Sequence, residues 1–75
     1  MGLIHHLRGE AAARYLRRVL ERDEFDEGAH LSLVAALAAG GHPADARRAY
    51  GAYMARMEEL GLEAAPFPDW GLAAT

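Results

Sequence analysis

The sequence predicts an all-α fold of three helices, and three observations carry the prediction. Alanine and leucine dominate while β-branched residues are scarce. The apolar positions recur at three- and four-residue steps almost throughout. Two polar or glycine-rich breaks, "RDEFDEGAH" (22–30) and "AAGGHP" (38–43), divide the chain into three stretches long enough to be helices.

The first helix is expected from about Glu10 to Arg22, after a flexible N-terminus over 1–9. Ala12, Leu16 and Val19 stand at i, i+4 and i+7, with Leu20 and Tyr15 widening the stripe. Arg14, Arg18 and Arg22 line another face, and Glu10 lies one turn before Arg14, where it adds weak support. The second helix should start after Asp26, whose carboxylate can accept from the free N–H groups of the first turn. Glu27 then sits at the positive end of the helix dipole. Leu33, Val34 and Leu37 form one apolar face and Leu31, Ala35 and Ala38 a second, the pattern of a helix held between neighbours. Gly40 and Gly41 stop it, because glycine tolerates the left-handed backbone of a helix end.

The third helix opens at Pro43, where a missing N–H costs nothing. It runs to "MEELG", with Gly61 as its terminator and Leu62 expected to fold back on Met57. Ala46, Tyr50, Tyr53, Met57 and Leu60 are its buried stripe. Gly51 in its interior suggests a close helix contact, since glycine there costs about 1 kcal/mol relative to alanine. The helical module is thus placed at 10–62, followed by a Pro/aromatic tail at 63–75 whose two prolines, Pro66 and Pro68, prevent a long further helix.

Size and composition set bounds on function. At 75 residues the chain is one small domain at most, near the lower limit for a chain that buries its own core. It has no cysteine, so neither a disulfide nor a thiolate metal site can staple it. No apolar run approaches the ~20 residues of a membrane span. "MGLIHHLRGE" lacks the apolar core of a signal peptide, and His6 breaks the myristoylation pattern. A soluble, cytoplasmic protein is therefore expected. The net charge of −3, with arginine as the sole basic side chain other than histidine, argues against a nucleic-acid binder. The richness in Ala, Gly and Arg, all with GC-rich codons, points to a high-GC bacterial source.

Nothing in the sequence assembles chemistry. The acidic stretch 22–30 has four carboxylates in five residues, but no twelfth-position glutamate of a calcium loop follows it. Asp26 and His30 could offer two ligands to zinc, with no third and no HExxH. Capping and a solvated turn, with Phe25 anchoring it between helices, account for the stretch. His5 and His6 carry no site role, and His42 reads as a helix-entry residue. No nucleophile stands in a recognised arrangement, so no enzyme, metal or cofactor is expected.

Ala12, Leu16 and Val19 precede Ala46, Tyr50 and Tyr53 by 34 residues, and with that period the chain resembles a tetratricopeptide repeat. The fold expected from it is a tetratricopeptide-like right-handed array of helical hairpins, about one and a half repeats long. Roughly three repeats are needed for such an array to stand alone, so either a partner or the tail must supply the missing burial. His30, Val34 and Glu24 depart from the residues usual in that repeat.

A narrower resemblance covers Tyr15 to Pro66. The turn "RDEFDEGAH", the break "AAGGHPADARRAY" and the ending "EELGLEAAP" together resemble the bacterial transcriptional activator domain. That module follows a winged-helix DNA-binding domain in the antibiotic regulatory proteins of actinobacteria. Glu24 and Ala64 stand where prolines are usual, and "FPDWGLAAT" lacks a further helix. The resemblance implies transcription regulation through dimerisation or contacts with other domains, without carrying over DNA binding. A homodimer or a protein partner is then expected. The candidate protein-binding residues are Leu31, Ala35 and Ala38, the groove side of the second helix, with Phe67 and Trp70 of the tail as anchors. A small nucleic-acid-binding protein using the Arg14/Arg18/Arg22 face is the alternative.

Overall fold

The computed structural model describes residues 2–67, with side chains from Gly9 onward. Three helices follow in order: α1 (Gly2–Arg22), α2 (Glu27–Ala39) and α3 (Pro43–Leu60). No strand occurs among the described residues, so the all-α expectation holds. α2 lies in the middle, packed against α1 on one side and α3 on the other, and α1 and α3 do not pack on each other.

The helix ends follow from local chemistry. Asp26 is extended (φ −73°, ψ 100°) and its carboxylate accepts from the Ala29 N–H, so it caps α2 as expected. Past Ala39 the chain turns through Gly41 at φ 83°. The Gly41 N–H donates to the Ala38 carbonyl and the His42 N–H to the Leu37 carbonyl, which uses up two orphan acceptors. Pro43 opens α3 as expected. Gly61 ends it at φ 71°, with its own N–H on the Glu58 carbonyl and the Leu62 N–H on the Met57 carbonyl.

α1 differs from expectation. It begins at Gly2, eight residues ahead of Glu10, so the stretch taken as irregular is helical in the described part. Its register differs too. Ala13 is buried, Leu16 and Leu20 pack beside it, and Ala12 is exposed. Gly9 fixes this choice. A Cβ there would stand 3.2 Å from both the Ala36 carbonyl oxygen and the Gly40 Cα, so α1 meets α2 backbone to backbone along the Gly9–Ala13–Leu16–Leu20 line. The run "EAAAR" is apolar in either register, and the sequence pattern alone could not choose. Ala13, rather than Ala12, is therefore the counterpart of Ala46, one residue short of the expected period.

The core is small. Ala13, Leu33, Val34, Leu37 and Ala46 form its centre, and Val34 and Ala46 are wholly buried. His30, Tyr53 and Met57 are buried farther along α2 and α3. Three expectations fail on burial, the first at Tyr15 of the α1 stripe, which is 67% exposed. Leu60 lies past the end of the packed surface and is exposed, and Phe25 is 36% exposed at the tip of its turn rather than wedged between helices. Gly51 makes no close contact: nothing lies within 4 Å of where its Cβ would be.

Candidate functional site

The acidic turn comes out as structure. Asp23 accepts from the Phe25 N–H, Asp26 caps α2, and Glu24 Oε1 takes a 3.1 Å bond from Arg56 of α3. Arg56 Nε also lies 2.5 Å from Glu59 Oε2, as an ion pair out of line for a hydrogen bond. Glu27 accepts from the Tyr53 hydroxyl at 2.6 Å. His30 is buried, and its Nε2 lies 2.6 Å from the Glu24 carbonyl oxygen. A carbonyl can only accept, so Nε2 carries the proton. Each of these carboxylates thus has a local partner, and no group of three ligating side chains stands together among the described residues.

Of the candidate binding residues, Leu31, Ala35 and Ala38 are half-buried along one flank of α2. Ala38 packs against the core cluster, and so does Phe67 from the tail. Phe67 meets the Tyr50 ring edge-on, with centroids 5.1 Å apart and planes at 79°. Trp70 lies outside the described residues.

The tail is held by two tyrosines, and the sequence reading missed how. The Tyr50 hydroxyl donates to the Ala65 carbonyl at 2.6 Å. The Ala65 N–H donates to the Tyr53 hydroxyl at 2.7 Å, while that hydroxyl donates to Glu27. Both backbone groups of Ala65 are therefore satisfied by side chains of α3. A signal was present: two tyrosines in a buried stripe must find partners for their hydroxyls, and the nearest unpaired backbone was the chain just past Gly61. The Tyr53 ring meets Tyr50 at 5.7 Å and His30 at 5.9 Å between centroids, tilted to both. Burial first, and the bond to Glu27 next, push its phenol pKa above 10.0.

The arginines divide into two groups. Arg48 pairs with Asp45, and Arg56 with Glu24 and Glu59. Arg14, Arg18 and Arg22 are exposed along α1 and have no carboxylate within 4 Å among the described residues. Glu10, the expected partner of Arg14, lies instead 4.0 Å from His42 Nε2. A cavity of about 220 Å³ lies there between α1 and the start of α3, with Arg14, Arg17, Glu10, His42 and Asp45 at its polar rim.

Such an arrangement offers capping, packing and surface charge, with no cluster of three metal-ligating side chains among the described residues. The model of the bacterial transcriptional activator domain matches residues 3–67. The chain belongs to that family. The matched span takes in α2, α3 and all of α1 but its first residue, and ends at Phe67, so the tyrosine-held tail of this activator domain lies inside it. The family is a regulatory one, and the domain's role is accordingly in transcription activation. No helix among the described residues is long and apolar enough to cross a membrane. Neither the curated proteins nor the solved structures contain a significant match.

Proposed function

We propose that the chain is a non-catalytic protein-interaction module of a cytoplasmic bacterial transcription regulator, acting through self-association or through contact with other domains. Its binding face is the Leu31–Ala35–Ala38 flank of α2, with Phe67 and Trp70 of the tail as anchors. The observation that carries this reading is the flank itself. With α1 and α3 both packed on α2, these three apolar side chains remain only half-covered. In a tetratricopeptide-like array that flank is where a further element would be seated. The tail from Leu62 to Phe67 takes up part of the space, since Phe67 and Ala38 rest on the same cluster.

The alternative, a nucleic-acid surface on Arg14, Arg18 and Arg22, draws support from their lack of carboxylate partners. The net charge of −3 counts against it.

Fusion to a DNA-binding domain that occupies its operator only as a dimer tests the interaction reading. The activator domain should restore operator occupancy, and Ala35→Glu, which sets a charge on the half-covered flank, should lower it by about tenfold or more. Occupancy no better than that of the unfused DNA-binding domain counts against self-association.

A further inference from the structure

α1 has a second apolar edge that its packing on α2 leaves open. Tyr15 is 67% exposed. With Val19, Arg18 and Arg22 it lines a shallow depression of about 280 Å³ on the side of α1 away from Gly9 and Ala13. Arg14, Arg18 and Arg22 follow one another at four-residue steps along α1, Arg18 and Arg22 at the depression itself and Arg14 at the rim of the Glu10–His42 cavity, all without a carboxylate partner among the described residues. α1 carries five of the chain's eight arginines, although the chain is acidic overall.

A second surface has the opposite sign. Met54 and Leu62 are 44% and 58% exposed. Glu58 lies one turn after Met54 on the same face of α3, and Glu63 follows Leu62. Neither glutamate has a cation within 4 Å among the described residues. Arg56, on the opposite flank of α3, reaches back to Glu24 in the turn between α1 and α2. The Met54–Glu58 flank therefore faces away from α1. Because α2 separates α1 from α3, the basic edge and the acidic edge of one chain cannot meet each other.

We propose that the chain associates head to tail, the Tyr15–Arg18–Arg22 edge of α1 in one copy seating on the Met54–Glu58–Leu62–Glu63 edge in the next. This rests on the interaction-module reading and names a second copy as the occupant. Charge complementarity selects that pairing. A symmetric contact of α1 with α1 sets one arginine row against another, and a contact of α3 with α3 sets glutamate against glutamate. Only the heterologous contact matches charge to charge around apolar centres. Such a contact does not close on itself, so assembly continues past the dimer unless a ring forms. It is small and rimmed by exposed charge, which places it among weak, salt-sensitive interfaces.

The test is sedimentation equilibrium on the full chain and on two charge reversals, Arg14→Glu/Arg18→Glu and Glu58→Arg/Glu63→Arg. All four positions are exposed. Arg22 is kept, because a positive charge favours the end of α1, and Glu58→Arg places one near the end of α3. Helicity and the thermal midpoint confirm that each variant folds. At low salt the wild-type mass should climb from 8.1 kDa between about 10 μM and 1 mM without levelling at a dimer. It should fall back at about 0.5 M salt, where screening is strong. Each variant alone should not grow past a dimer held by the α2 flank, and an equimolar mixture should recover the larger assemblies, since each reversed edge then meets its complement. A mixture no better than its components, or a wild type monomeric throughout, overturns the proposal. Growth beyond a dimer that survives both reversals also overturns it, while leaving the interaction-module reading intact. Binding of a 20-base-pair DNA duplex that Arg14→Glu/Arg18→Glu abolishes, with no self-association, would give the basic edge to nucleic acid instead.

Discussion

The Tyr53 hydroxyl joins three parts of the chain: it donates to Glu27 at the start of α2, accepts from Ala65 in the tail, and rides on α3. Replacing it with phenylalanine keeps the ring in its buried place and strands the Ala65 N–H. Tyr53→Phe should therefore cost about 1–2 kcal/mol in urea unfolding, and should expose the tail first in amide hydrogen exchange. The same hydroxyl gives an alkaline signature. Burial, then the bond to Glu27, holds the phenol protonated above its ordinary 10.0, so the folded chain binds this proton more tightly than the unfolded chain does. The resulting stability is fully present below about pH 10 and is lost as pH rises from there through the higher folded value. Urea midpoints measured from pH 9 upward should fall more steeply for the wild type than for Tyr53→Phe; equal slopes would remove this group from the account.

Among the elements, the ends of α2 and α3 were readable from sequence, because capping and glycine chemistry are local. Asp26, Gly41, Pro43 and Gly61 act as their residue types dictate. The two apolar faces of α2 were readable for the same reason, since each is set by spacing within one helix. The register of α1 was not, because three successive alanines fit either choice and a glycine–glycine approach across two helices decided it. The two interior glycines of α1 and α3 consequently trade places. Gly51, read as a contact, faces open space, so Gly51→Ala should stabilise the fold by roughly 0.5–1 kcal/mol through helix propensity alone. Gly9→Ala presses a methyl to 3.2 Å from the Ala36 carbonyl oxygen and the Gly40 Cα, backbone atoms that must shift to admit it, and should lower the thermal midpoint despite the same gain in propensity. Of the candidate site, the α2 flank could be located by periodicity. The hold of Tyr50 and Tyr53 on Ala65 could not, because it depends on where the chain goes after Gly61.

At the scale of the whole molecule, three helices with one in the middle leave two sides open. The tail from Leu62 to Phe67 closes part of one, by the Ala65 bonds and the edge-on contact of Phe67 with Tyr50. The outer edge of α1, with Tyr15 and its arginines, has no such cover among the described residues. For a chain near the lower size limit for a self-sufficient core, membership in a transcription activator family and surfaces of this kind fit a part that works by contact. On the proposed reading its central property is association, and the mass in solution is the most direct measure of it. Sedimentation of the unmodified chain from low micromolar upward should show a weight-average mass that rises with concentration and returns to 8.1 kDa on dilution. A folded chain that stays at 8.1 kDa at every concentration would contradict self-association and turn the search to a different protein as partner.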